Sequence, residues 1–264
     1  MLIISHITPL FGYALNISVA ALFFVAVLLF RKRGYQLRQR EAHKDLILTS
    51  FFITLVFLLI FIGLNYTTAT NTAVIIFLQL LFSFLYFNVL GNEKLPKKHV
   101  VGAALMGAGA IVILYPDDLR LNIGDGLVLL AAMIAPIGNY FQKRSRKHVS
   151  SEAVLAFRYL FSLPFLVALA FIAEPTPSLE QLGSAMPYLG LSGLLVFGVA
   201  KIFWVEATFL LSITKAMAMA SFVPALTIFF AYLLLNEVPS VLQLAAIAPI
   251  LLGGYLITRP VNMR

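Results

Sequence analysis

Two bases interrupt long apolar runs: Arg158 in Leu155-Ala156-Phe157-Arg158-Tyr159, and Lys201 in Gly198-Val199-Ala200-Lys201-Ile202. A charge within a membrane span costs roughly 2.5–3.5 kcal/mol on insertion scales, so a retained one usually faces a bundle interior or a water-filled cavity. Arg158 stands about six residues into its run, about 9 Å deep at a rise of about 1.5 Å per residue. Lys201 lies five residues before Glu206, where the following run ends. Both bases could line a path and attract a carboxylate or phosphate, Arg158 through its planar fork and Lys201 as a point charge. Trp204, Tyr159 and Asn139 are the weaker candidates for the same cavity, offering rings and an amide. The competing reading pairs Arg158 with Glu206 or Glu152 and lets Lys201 snorkel towards headgroups. Glu206 is the one acid close to the buried region, so proton coupling through a carboxylate falls to it by elimination, with an interfacial ion pair as the alternative. Lys201 and Glu206 are five apart, off the spacing that makes helix neighbours.

Other chemistries find no support in the sequence. With no cysteine, disulfides, thiolate metal sites and cysteine nucleophiles are excluded. His6, His43, His99 and His148 lie outside span centres without metal or haem spacing, and there is no Gly-rich phosphate loop or Ser-His-Asp set. No metal, cofactor, ATPase engine or enzymatic centre is therefore expected. The net charge of +8 sits in short gaps rather than on one face, which points to positive-inside bias and anionic lipid rather than to nucleic acid.

The elements that must carry these residues are apolar helices. At 61% hydrophobic and 11% charged residues, the chain cannot cover a water-facing surface, and no alternating ten-residue segments suggest a β-barrel. Nine stretches meet or approach the length of about twenty residues that spans a bilayer: Pro9–Phe30, Leu46–Tyr66, Thr72–Leu90, His99–Tyr115, Gly126–Phe141, Glu152–Ala173, Pro187–Glu206, Ala216–Leu235 and Val241–Thr258. Sixteen of the nineteen Lys and Arg residues fall in alternate gaps: Arg31 to Lys44, Lys94 to Lys98, Lys143 to Lys147, Lys215 and Arg259 to Arg264. The remaining gaps hold Asp117, Asp118, Asp125, Glu174, Glu180 and Glu237 with Arg120 alone. Cytoplasmic loops retain bases, so the expectation is a multi-pass inner (plasma) membrane protein with its N-terminus outside and C-terminus cytoplasmic. The first run lacks a basic leader and a cleavage pattern, so it is read as a retained span.

Sliding the chain on itself by 144 positions lays Thr70–Pro116 over Thr214–Pro260 without a gap. Eight identities result: Thr70/Thr214, Leu90/Leu234, Asn92/Asn236, Glu93/Glu237, Ala104/Ala248, Gly109/Gly253, Ile113/Ile257 and Pro116/Pro260. The first Asn-Glu hairpin is basic and inside, the second has no base and is outside, so the copies are inverted. The expected fold is all-α, with residues 1–116 as a first unit of four spans lacking its opening helix and 124–260 as a complete second unit of five. A start codon set too far downstream would account for the missing helix. Glu93 and Glu237 are read as hairpin residues rather than substrate contacts. Gly102, Gly107 and Gly109, with Gly253 and Gly254 in the partner span, permit close helix contact, within one chain or across a homodimer; a monomer and a homodimer are both compatible.

These features resemble the drug/metabolite transporter superfamily, specifically its EamA-type members. The resemblance rests on Ala156-Phe157-Arg158-Tyr159, Ser221-Phe222-Val223-Pro224-Ala225, and the leucine-rich stretches ending Leu90-Gly91-Asn92-Glu93 and Leu234-Leu235-Asn236-Glu237. It implies an inverted five-plus-five helical repeat that exports or exchanges small metabolites. Three features depart from that pattern: the first helix is absent, Asn16 stands where a basic residue is common, and Gln79-Leu80 replaces a mid-span proline. The reading is a secondary transporter for a small metabolite, anionic or amino-acid-like, working by alternating access. A membrane enzyme on lipid-linked substrates and a non-transporting assembly partner stay open as alternatives.

Overall fold

The computed structural model describes residues 7–89, 97–114, 122–213, 216–217, 220 and 222–259, and every regular element among them is helical. In chain order these are α1 (Pro9–Phe30), a 3-10 turn (Gly34–Arg38), α2 (Arg40–Gly63), α3 (Ala69–Phe77), α4 (Gln79–Phe84) with a π turn (Leu85–Val89), α5 (Lys97–Leu114) and α6 (Ile123–Ser145). Then come α7 (Ser151–Ala173), α8 (Leu179–Ser192), a π segment (Gly193–Val199), α9 (Ala200–Leu210), α10 (Phe222–Leu235) and α11 (Val241–Thr258). Among the described residues six helical stretches are long and apolar enough to cross a bilayer: Pro9–Phe30, Arg40–Gly63, Ala69–Phe87, Ile123–Ser145, Ser151–Ala173 and Leu179–Leu210. Leu226–Leu235 and Leu244–Thr258 are shorter apolar helices.

Helix limits follow the chemistry of their ends. α1 starts with Pro9, whose missing N–H is no loss at that position, and its limits are those expected from sequence. α2 begins at Arg40 rather than Leu46 because the polar turn Arg40–Asp45 continues the helix into the basic gap. The expected span Pro187–Glu206 is extended at both ends, to Leu179 and Leu210. Its new start is a capping box: Ser178 accepts from the Gln181 N–H and the Gln181 side chain from the Ser178 N–H. The expected hairpin residue Glu93 lies outside the described residues, as do Lys94, Asp117, Asp118, Arg120 and Lys215.

The chain forms two compact units, Met1–Phe61 with Ile137–Leu210, and Ile62–Pro136 with Leu211–Arg264. The boundary within α6 falls at its internal Pro136.

In the first unit, α1 runs antiparallel to α7. Tyr13, Ile17, Ala20, Phe24 and Leu28 recur at three- and four-residue spacing and are buried with Ala153, Ala156, Tyr159 and Leu166 of α7. Leu22, Leu29 and Phe30 on the remaining surface are exposed, as lipid-facing residues must be. Both ends are tied by acids. Glu174 accepts from the N–H groups of Leu10 at 3.0 Å and Phe11 at 3.1 Å, satisfying donors that a helix start leaves orphaned. At the opposite end Arg31 pairs with Glu152 in the first turn of α7. Gly193 is a point of close approach, since a Cβ there would lie 2.8 Å from the Asn16 carbonyl oxygen.

In the second unit, α5 and α11 form a glycine seam. A Cβ on Gly102 would lie 2.6 Å from the Gly253 carbonyl oxygen, and one on Gly109 would lie 2.8 Å from that of Ala246. Bare backbone thus replaces side chains where dispersion, not hydrophobic expulsion, holds helices together. Glu237 accepts from the N–H groups of Ala69 and Thr70, both at 3.2 Å, and from the Thr70 hydroxyl at 3.1 Å. Asp125 in the first turn of α6 is buried and accepts from the Thr67 hydroxyl and the Asn71 amide, fixing the α2–α3 connection.

Candidate functional site

The first unit holds the polar residues that the sequence singled out. Arg158 is 3% exposed. Its Nη2 donates to the Tyr159 hydroxyl at 2.7 Å, and that hydroxyl donates to the Phe197 carbonyl at 2.7 Å. The receiving carbonyl belongs to the π segment of the Leu179–Leu210 stretch, a geometry that recurs at functional sites. Nη1 of Arg158 donates to Gln142 Oε1 at 3.5 Å. Gln142 Nε2 in turn donates to Thr208 Oγ1 at 3.3 Å, and the Thr208 hydroxyl bonds the Trp204 carbonyl at 3.0 Å. Trp204 Nε1 closes the network by donating to Asn139 Oδ1 at 3.0 Å.

Helical periodicity explains why these residues converge. Asn139 and Gln142 are three apart on α6, while Lys201, Trp204 and Thr208 follow at three and four on α9. Lys201 Nζ stands 4.9 Å from the Phe57 ring centroid, a cation–π arrangement that leaves its hydrogen-bonding protons for another partner. It lies within electrostatic reach of Arg158. Tyr13 extends the aromatic side, stacked on Phe61 at 4.9 Å and Phe57 at 5.5 Å between centroids.

The pairings that would have made Arg158 structural are taken by other bases. Glu206 receives Arg146 Nη2 at 2.9 and 3.1 Å and the Ser151 hydroxyl at 2.6 Å. Glu152 holds Arg31, and Asp45 accepts Arg144 Nε at 3.1 Å. Among the described residues no carboxylate pairs with Arg158 or Lys201. One buried cation, Arg158, and one half-buried cation, Lys201, thus share an interior with amides, hydroxyls and rings. A buried unpaired charge is strongly destabilising unless something arrives to neutralise it.

Arg158, Tyr159, Asn139 and Trp204 are joined in one network and Lys201 stands near it, whereas Glu206 faces Arg146 and Ser151. Glu237 caps α3. Sequence reasoning missed Gln142, which bridges Arg158 to Thr208; its signal was a second amide three residues after Asn139 on an apolar helix. It also missed Glu174 as the cap of α1, for which no local signal exists.

Apolar helices long enough to cross a bilayer mark a multi-pass membrane protein. The sequence model of the EamA-like transporter family matches residues 2–115 and again residues 122–259, and the chain belongs to that family. It is 26% identical over 239 residues to the uncharacterized transporter YoaV of Bacillus subtilis (strain 168), covering 89% of this chain and 82% of that one. It is also 26% identical over 214 residues to an uncharacterized transporter of Archaeoglobus fulgidus (strain ATCC 49558 / DSM 4304 / JCM 9628 / NBRC 100126 / VC-16), covering 78% and 72%. A protein crystal structure shares the fold with a TM-score of 0.71 at 19% identity, over 96% of this chain and 88% of the other.

Proposed function

We propose that this chain is a secondary transporter of the inner (plasma) membrane that exports or exchanges a small anionic or amino-acid-like metabolite, with Arg158 and Lys201 as the primary substrate contacts. The observation that carries this reading is the pair of interior bases, Arg158 buried and Lys201 half-buried, without a carboxylate partner among the described residues. Asn139, Trp204 and Tyr159 complete the proposed site. Arg146 occupies both oxygens of Glu206, so proton coupling through that acid requires the pair to open.

Alternating access rests on two inverted copies, residues 1–116 and 124–260, of four and five spans, with the N-terminus outside and the C-terminus cytoplasmic. The helix limits support it: α5, Lys97–Leu114, shifted by 144 positions coincides with α11, Val241–Thr258, and shifted α1 overlaps α7. The glycine seam supports it further. Gly102 corresponds to Ala246 and Gly109 to Gly253, so the contacts Gly102–Gly253 and Gly109–Ala246 exchange with each other when the copies are exchanged. A twofold relation between the copies requires that reciprocity. Each compact unit also draws helices from both copies.

Two experiments test the proposal. Labelled anionic metabolites offered to proteoliposomes should enter saturably and be trans-stimulated by unlabelled solute; purely passive leak would reject transport. With no native cysteine, Glu93→Cys and Glu237→Cys can be labelled one at a time. Reagents confined to one side should reach only one of them, and labelling of both from the same side would reject the inverted arrangement.

A further inference from the structure

We propose that the site selects dianions, organic molecules carrying a dicarboxylate or a phosphate monoester, over zwitterions and monoanions; this rests on the reading of Arg158 and Lys201 as substrate contacts. The charges of the first unit are unevenly matched. Its acids are Glu41, Asp45, Glu152, Glu174, Glu180 and Glu206. Asp45, Glu152 and Glu206 are engaged by Arg144, Arg31 and Arg146, and Glu41 by His148 at 3.2 Å. Glu174 caps α1, and Glu180 is exposed in the first turn of α8. Glu180 aside, which is exposed, each of these acids is already engaged, and none pairs with Arg158 or Lys201 to stand ready for a substrate ammonium.

Two positive charges remain in the interior, each presented differently. The Arg158 guanidinium is oriented by Tyr159 and Gln142 and offers a fixed fork. Lys201 lies over the Phe57 ring and offers a movable point charge. A monoanion neutralises one of the two, and a zwitterion brings a third cation into an interior that already has two. A dianion neutralises both. Selection thus operates by repulsion of the wrong charge as well as by attraction of the right one. The flanking Phe57, Tyr13 and Trp204 rings favour a ligand with an apolar body attached to the anionic head.

The test is direct binding to the purified full-length protein in detergent, with four ligands of matched body: phenyl phosphate, phenylsuccinate, phenylacetate and phenylalanine. Phenyl phosphate and phenylsuccinate should each bind at least about tenfold tighter than phenylacetate, and phenylalanine should bind weakest. The difference between the two dianions tells phosphate from dicarboxylate. Lys201→Gln should collapse the dianion advantage over phenylacetate to less than about threefold, and Lys201→Arg should restore it. Unfolding of the Gln variant is monitored by its melting temperature, and Lys201→Arg alone retaining the preference then carries the same conclusion. Equal binding of all four ligands, weakened by Arg158→Gln, overturns the dianion preference and leaves the site intact. Binding of phenylalanine tighter than the dianions has the same meaning. Binding indifferent to both Arg158→Gln and Lys201→Gln, or no binding at all, overturns the preference and the site together.

Discussion

Replacing Gly102 by Ala should loosen the α5–α11 seam by an amount the backbone geometry sets. The new methyl carbon would stand 2.6 Å from the Gly253 carbonyl oxygen and 3.0 Å from both Leu256 Cβ and Ile257 Cγ1. An ordinary carbon–oxygen contact is about 3.3 Å or longer, so the helices must part by more than half an ångström. The obstacle is backbone rather than a flexible side-chain end, so it cannot swing away. Overpacking of this kind costs about 1–3 kcal/mol, and alanine's better helix propensity returns roughly 0.5–1 kcal/mol. A net loss of about 1–2 kcal/mol corresponds to an apparent melting temperature lower by roughly 3–8 °C. Gly107→Ala on the same helix is the control, since its added carbon meets nothing within 4 Å, and it should be neutral or slightly stabilising. Differential scanning fluorimetry of both variants in one detergent decides the matter. Gly102→Ala melting no lower than Gly107→Ala would refute the seam.

Three further outcomes follow from named contacts. A double-mutant cycle on Arg146 and Glu206, using Gln at each position, should give a coupling of about 1 kcal/mol, discounted because the pair is partly exposed; thermal stability measures it, and additivity of the single variants would contradict it. Glu237→Ala removes the acceptor for the Ala69 and Thr70 N–H groups and should lower stability by about 1 kcal/mol. Glu237→Gln, which keeps an acceptor but loses the charge, should cost only about half that; no loss in Glu237→Gln would show that the charge contributes nothing, and a loss equal to that of Glu237→Ala that the neutral acceptor contributes nothing. Tyr159→Phe leaves the Arg158 donor and the Phe197 carbonyl unsatisfied, a penalty of about 1–3 kcal/mol. Ligand affinity measured by titration should weaken by about tenfold, and unchanged affinity would remove Tyr159 from the support of Arg158.

What is legible in the sequence is what carries a large free-energy cost. Charges inside apolar runs are expensive, so the types and positions of Arg158 and Lys201 mark them on their own. Helix limits are legible at Pro9, Phe30, Val241 and Thr258, where proline, charge or turn residues bound the apolar run. The start of the Leu179–Leu210 stretch is not, because the Ser178–Gln181 capping box sits in polar sequence that an apolar window discards. Its π segment is hidden too: Gly193–Val199 reads as ordinary apolar helix, and the donor to its Phe197 carbonyl is Tyr159, more than thirty residues earlier in the chain. The pairing of Glu206 with Arg146 is equally out of reach, since several bases in the gaps between apolar runs could have met that acid. Gln142 escapes notice because an uncharged amide costs less to bury than a charge, and so signals less.

The most direct measurement is solute flux in proteoliposomes containing native protein, Arg158→Gln or Lys44→Gln. Lys44 is exposed at the start of α2, so its replacement removes one positive charge without touching the interior. Transport of an anionic solute should fall by at least about tenfold in Arg158→Gln and persist in Lys44→Gln. Undiminished transport in Arg158→Gln, or an equal loss in both variants, would contradict the assignment of the two interior bases as the substrate site.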